Sequence, residues 1–416
     1  MTDGYIKRMV AVAALGCCIA ANTAKAQVAE QICTDNYEID SARTGELTLK
    51  VDNISFLKDN EFKGDIVTGY TLPGFWLQPK VAFQPLKNLK IEAGVHAFVY
   101  DGAYKYPNYA YQDIARWKGS QYQKGTHLLP FFRAQIQLGS VNLIWGDLYG
   151  GSNHRLNEVL YNPELNLTAD PEMGFQVIMD RPRFRLDTWI DWQSFIFKKD
   201  THQEAFVVGL SSLVRFNNPE SRFHVYLPLQ GLIQHRGGEL DTLEHNSVQT
   251  FMNGSAGVGV VWNTGNPLLR RINVEGDIIG YYEQSGTLWP FSSGTAFLAK
   301  GSVDVWRYFR LTGGWFYGKK FISLLGLPFF GAVARSDKGG TYDFMRTGFV
   351  SFESSYKFKR YYAVGAKADF YYSVPGRYTS KDGLVSSQQP LSNFSIGAYF
   401  RLNLDVLLWK HRPKKL

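Results

Sequence analysis

The 416-residue chain is poor in long hydrophobic runs. No apolar stretch reaches the ~18–20 residues that a membrane-spanning helix needs, and the mean hydropathy is mildly negative at −0.21. Cysteine is nearly missing as well: three in all, two of them (Cys17 and Cys18) inside the amino-terminal apolar run. Cys33 then stands alone, which excludes an intramolecular disulfide even in an oxidising compartment. Charge of one sign is not concentrated. The net +8 is spread along the chain, which is no footprint for nucleic acid. Nor is there a GxSxG, HExxH, P-loop or dinucleotide fingerprint. His96, His127, His154, His202, His224, His235, His245 and His411 are scattered, and none faces lipid beside an obvious serine. The spacing His235…Glu239…Glu244-His245 lies in a glycine-rich loop with no helix to fix metal geometry. These gaps lead to the expectation that the chain is not an enzyme and needs neither metal nor cofactor.

What the chain has in abundance is two-residue alternation. In Asn393 to Val406 the even positions are Phe394, Ile396, Ala398, Phe400, Leu402, Leu404 and Val406, and the odd ones are polar, glycine or tyrosine. Successive side chains of a strand point to opposite faces, so one face is apolar and the other suits water. The pattern recurs at Ile272 to Tyr282 and Phe297 to Val305. Aromatics make up 15 % of residues. Strands of roughly ten residues with aromatic-rich apolar faces fit a barrel whose outside touches lipid.

Lys7 and Arg8 precede the apolar run Met9 to Ala21, and Ala24-Lys25-Ala26 supplies the small residues of a cleavage site. Residues 1–26 therefore read as a signal peptide, 27–45 as a periplasmic leader, 46–409 as a barrel and 410–416 as a basic periplasmic tail. A lipobox before Cys17 is a poor match. Sixteen strands are expected near 46–57, 62–84, 88–101, 127–138, 140–150, 171–181, 183–196, 204–216, 221–234, 248–263, 271–284, 295–308, 309–320, 342–359, 361–375 and 392–409. The irregular segment 171–181 leaves fourteen open. Connections after even-numbered strands are tight and those after odd-numbered ones mostly long, which places turns in the periplasm and loops outside.

The signal peptide, the alternating strands, the turn–loop asymmetry and the candidate girdle residues Trp145, Tyr149, Trp189, Trp262, Tyr281, Tyr282, Trp315, Tyr371, Tyr372 and Trp409 resemble porin-type Gram-negative outer-membrane barrels. The carboxyl end departs from that pattern, since Trp409 is followed by a basic tail. The resemblance implies an all-β, antiparallel up-and-down transmembrane barrel in the outer membrane, inserted by the barrel-assembly machinery.

Projected inward, the polar faces give Arg133, Arg185, Asp187, Asp191, Glu275, Asp277, Lys300, Asp304, Lys367, Asp369 and Arg401 as pore-lining candidates. The third external connection, Gly150 to Pro171, has the position and polarity of an infolded constriction, with Arg155, Glu158 and Glu164 facing wall cations such as Arg133 and Arg185, and Asp170 a further candidate of the same loop. The expected function is passive diffusion of small hydrophilic solutes. The alternative is surface recognition through Tyr104, Tyr109 and Trp117 of the loop 102–126, because sugars stack on such rings. A lipid-modifying outer-membrane enzyme comes third.

Overall fold

The computed structural model describes residues 28–101, 125–195, 203–238, 248–286, 291–334, 340–358 and 361–411. Sixteen antiparallel strands close into one barrel. They are β1 Glu46–Glu61, β2 Tyr70–Leu86, β3 Leu89–Tyr100, β4 Gly125–Leu138, β5 Val141–Asp147, β6 Met173–Asp180, β7 Phe184–Ser194 and β8 Ala205–Arg215. Then follow β9 Phe223–Arg236, β10 Gln249–Asn263, β11 Leu269–Ser285, β12 Ser293–Val305, β13 Phe309–Lys319, β14 Phe344–Phe358, β15 Tyr362–Pro375 and β16 Leu391–Lys410. Each strand pairs with its neighbours in sequence, and β16 closes on β1 with Val51 opposite Leu404. Three short strands outside the barrel (Thr341–Tyr342, Arg377–Thr379 and Val385–Ser387) form a small separate sheet.

Alternation places the side chains. On β16, Asn393, Ser395 and Arg401 are buried in the lumen while Phe394, Ile396 and Phe400 are exposed outside. Leu128 and Ile278 are 71 % and 72 % exposed, a cost in water that vanishes against acyl chains. A closed barrel with an apolar exterior and a charged interior is an outer-membrane protein of a Gram-negative bacterium. Hairpin turns occupy one end; Gly139 takes φ +61° in the two-residue turn between β4 and β5.

The sixteen expected strands are all present, and β6 pairs fully with β5 and β7, which settles sixteen over fourteen. The second begins at Tyr70, because Phe62, Ile66 and Val67 leave the wall and bury themselves in the lumen core. Four girdle candidates need correction. Trp145, Tyr282, Trp315, Tyr372 and Trp409 are exposed, whereas Tyr149, Trp189, Tyr281 and Tyr371 are buried inside. Period two allows only one ring of the pairs Tyr281–Tyr282 and Tyr371–Tyr372 to face lipid.

The lumen is filled by three segments. Residues 28–45, expected as a periplasmic leader, enter the barrel. Ile32 is fully buried, Arg401 donates to the carbonyl oxygens of Ile32 (2.8 Å) and Thr34 (2.6 Å), and the Val28 amide donates to Glu353 (3.1 Å). The connection 148–172 and the connection 320–343 meet above it. The Asn162 amide donates to the Leu325 carbonyl at 2.7 Å, Ser323 Oγ to the Val159 carbonyl at 2.5 Å, and the Leu327 amide to the Glu158 carbonyl at 3.0 Å. Phe321, Ile322, Leu324, Phe329 and Phe330 form their shared apolar core, with Phe329 stacked on Tyr371 at 4.4 Å. Residues 1–27, the loop residues Tyr104, Tyr109 and Trp117, the residues Glu239, Glu244 and His245, and the tail 412–416 lie outside the described residues.

Candidate functional site

Strand lengths create the first feature of the site. β5 and β6 have 7 and 8 residues between a 14-residue β4 and an 11-residue β7. Only Arg133 to Leu138 of β4 pair with β5, so Gly125 to Phe132 rise past the end of their neighbour. The wall is therefore notched at its loop end, the side of the outer leaflet. Gly146 and Gly174 sit opposite each other where the two short strands stop. Gly146 takes φ +95°, and a Cβ at Gly174 would lie 2.1 Å from the Ile190 carbonyl oxygen, so both positions demand glycine. Backbone amides left free at the edge are met by carboxylates: Phe132 donates to Asp147 at 2.6 Å and Met173 to Asp191 at 3.0 Å. Exposed Leu128, Phe132, Trp145, Met173 and Phe175 rim the notch with apolar surface.

A cleft of about 270 Å³ runs from this notch into the lumen, from outward-facing Pro130 and Trp192 to inward-facing Gln78 and His96. Its polar groups are ordered. Lys80 donates to Gln78 Oε1 at 2.7 Å, and Gln78 Nε2 donates to His96 Nδ1 at 3.3 Å. With Nδ1 accepting, the neutral ring carries its proton on Nε2. That atom is buried without a partner, a donor at the cleft. His127 stands diagonally across the β3–β4 ladder, two residues from the partner of His96, and its Nδ1 is 3.7 Å from Asp170 Oδ1. Among the described residues the cleft lining contains no serine or threonine. Its half-buried cysteine, Cys33, is pushed up to about 12 by burial, so it holds its proton at neutral pH.

Behind the cleft, His154 is fixed from both sides, by Glu172 at Nε2 (2.8 Å) and Asp187 at Nδ1 (3.0 Å). Burial disfavours its charge, but the two carboxylates outweigh that and raise it to about 9. Both nitrogens are engaged, so His154 locks the infolded loop to the wall and has no free atom for chemistry. Asp187 also receives Gln176 (2.9 Å) and Arg185 (3.2 Å).

The pore-lining candidates all face inward, but they are mostly paired with one another. Lys300 meets Glu275 at 2.9 Å, Lys367 meets Asp369 at 3.4 Å and Glu353 at 3.5 Å, and Arg310 meets Asp304 at 2.5 Å. Arg401 meets Asp35, and Arg133 meets Glu92 at 3.4 Å. Asp277 is buried on the same wall as Glu275. The loop Gly150 to Pro171 does fold inward, with partners other than those expected. Glu164 binds Lys58 and Tyr70, Glu158 lies 3.9 Å from Lys300, and Asp170 faces His127. Arg155 is exposed to the lumen rather than opposed to an acid. Sequence reasoning missed His127, Gln78 and Glu172; the inward parity of His96 was legible from alternation on β3.

Below the infolded segments, on the turn side, lies a charged vestibule of about 1320 Å³ whose roof includes Tyr161, Leu327 and Phe330. Together, the closed wall, its lateral notch and the histidine-bearing cleft define an outer-membrane barrel with an interior site reachable from the bilayer. The sequence matches the lipid A 3'-O-deacylase-type family over residues 39–411, and the chain belongs to that family. This match corrects the expectation of a non-enzymatic barrel, since the family carries the name of an enzyme. The missing signature motifs had suggested otherwise, but a hydrolase that activates water needs none of them. No curated protein matches the chain. Among solved structures, a loop-deleted OmpT from Vibrio cholerae is 11 % identical, with 85 % of this chain and 98 % of that one covered and a TM-score of 0.47. Acinetobacter baumannii OccAB3 is 10 % identical (86 % and 99 % covered, TM-score 0.46) and Pseudomonas aeruginosa OpdK with vanillate 7 % identical (87 % and 100 %, TM-score 0.46).

Proposed function

We propose that this barrel hydrolyses an acyl ester of a lipid A-type glycolipid that reaches the cleft sideways through the notch between β4 and β7. The observation that carries the reading is the notch itself, opening from an apolar outer-leaflet surface onto His96 and Asp170, with His127 held 3.7 Å from Asp170 beside them. A lipid headgroup enters there without leaving the membrane plane. His127, oriented by Asp170, takes a proton from water as the water oxygen bonds to the ester carbonyl carbon. His96 Nε2–H donates to the carbonyl oxygen as it gains charge, the role of an oxyanion donor. The carbon–alkoxy bond then breaks and His127 returns the proton to the leaving alkoxide, freeing a fatty acid. Residues 1–26 serve as the export signal in this reading, and the assembly machinery inserts the barrel. Purified protein incubated with lipid A should shorten it by one acyl chain, seen by mass spectrometry. If the folded barrel releases no fatty acid, the hydrolase reading is wrong.

A second reading, passage of small hydrophilic solutes, is favoured by the large charged vestibule on the periplasmic side. It requires the infolded segments to move aside. Stepwise conductance in a planar bilayer supports it, and electrical silence across a broad voltage range removes it.

A further inference from the structure

The vestibule wall formed by β7 to β11 differs from the rest of the lumen. Elsewhere most wall charges are matched, but here three arginines come from three elements without a salt bridge to a carboxylate among the described residues. Arg155 is supplied by the infolded loop, Arg215 by the periplasmic end of β8 and Arg271 by that of β11. Arg215 lies within electrostatic reach of one acid, Asp180, and of the three cations Arg155, Arg185 and Arg271. The acids nearby are already taken. Asp180 accepts from the Tyr37 hydroxyl at 2.7 Å and lies 3.9 Å from Arg185, Glu275 holds Lys300 and the Tyr226 hydroxyl (2.6 Å), and Asp304 holds Arg310.

A second observation points to an occupant. His224 on β9, between the strands of Arg215 and Arg271, is only 4 % exposed, lines the same cavity, and has its Nδ1 buried without a partner. A buried imidazole nitrogen left unpaired is costly unless a ligand meets it. The backing is rigid. Tyr226 packs over Gly259, where a Cβ would lie 2.1 Å from its ring, and donates to Asn273 (2.9 Å) and Glu275. Gln230 fixes the loop arginine, donating to the Arg155 carbonyl at 3.0 Å and accepting from the Asn157 amide at 2.9 Å. Arg215 and Arg271 stand three strands apart and four residues out of register, roughly 20 Å at the backbone, and their long side chains extend into the same cavity within electrostatic reach of each other.

We propose that Arg155, Arg215, Arg271 and His224 form a binding site for a phosphate-bearing anion in the periplasm-facing half of the lumen. Planar guanidinium forks match phosphate oxygens two at a time. Three uncompensated positive charges suit a phosphate dianion better than a single carboxylate. The site is separate from the hydrolytic cleft and stands whether or not the cleft cleaves esters.

The test is calorimetric titration of the full chain in a zwitterionic detergent with inorganic phosphate, glycerol 1-phosphate and dihexanoylphosphatidylglycerol. Saturable binding is expected, weakened roughly tenfold or more by Arg215→Gln and again by Arg271→Gln. Arg346→Gln, at an exposed position on the lipid-facing side of β14, should leave it unchanged. Binding of the two soluble phosphates identifies a free phosphate ester as the source; binding of the short-chain lipid alone identifies a headgroup. The solvent-exposed Arg271→Gln variant, checked by far-ultraviolet circular dichroism, guards against misfolding as the cause. Absence of binding by all three probes, or binding that Arg215→Gln and Arg271→Gln leave intact, overturns the proposal.

Discussion

The imidazole of His154 lies flat on the indole of Trp189, with ring centroids 3.4 Å apart and planes 8° from parallel. One ring belongs to the infolded loop and the other to the barrel wall, so this stack and the two carboxylates that hold His154 join the lumen segments to the cylinder.

That junction makes stability pH-dependent. His154 is raised from 6.5 to about 9 in the folded protein, so its stabilising charge is fully present below about 6.5 and lost as pH rises through about 9. The shift corresponds to roughly 3 kcal/mol. Thermal unfolding should show His154→Gln destabilised at pH 6.5, with the gap to the parent narrowing above pH 9. A gap constant across that range would mean the ring acts through packing alone.

The proposed chemistry assigns distinct losses. Asp170→Asn and His127→Ala should each reduce fatty-acid release by roughly 10²–10⁴-fold, the usual worth of a positioned general base. Gln78→Leu, which frees His96 Nδ1, should lower the rate less. Equal rates in His127→Ala and the parent would exclude His127 as the base.

The notch depends on two glycines. Gly146→Val places a branched side chain at φ +95° with its Cβ 2.2 Å from the Phe132 carbonyl oxygen. Strain and overpacking together should cost about 2–4 kcal/mol, read as a drop in unfolding temperature. Gly139→Ala, in an open turn, should cost less, about 1 kcal/mol.

The core shared by the infolded segments can be opened from within. Phe329→Ala removes a fully buried ring that stacks on Tyr371 and should cost about 3–5 kcal/mol of local stability. Faster proteolysis between residues 321 and 334 would report it. Should the solute-passage reading hold, deleting residues 323–331 would also raise bilayer conductance.

At the carboxyl end, Leu47 pairs with Trp409 and Glu46 with Lys410, so the strand is engaged up to the start of the basic tail. Removing Pro413 to Leu416 should leave assembly intact, whereas Trp409→Ala with Phe400→Ala should reduce outer-membrane insertion several-fold. Loss of assembly on truncation alone would make the tail a recognition signal.

By itself the sequence determined the closed antiparallel barrel, the inward parity of Arg185, Lys300, Lys367 and Arg401, and the lipid-facing rows such as Phe394, Ile396 and Phe400, while the choice of sixteen strands over fourteen waited on the pairing of β6. All of these follow from period-two patterning within single strands, where each side chain's face is a local property. Tertiary structure alone decided which of those charges neutralise one another, since Arg401 meets Asp35 and Lys58 meets Glu164 across gaps of more than a hundred residues. It also decided that residues 28–45 enter the lumen, because Ile32 and Val28 look like any short apolar segment until Gly365 leaves room for them on the opposite wall. The notch was equally hidden. Whether β5 and β6 stop early depends on where their neighbours continue, a relation between four strands that no single stretch of chain encodes.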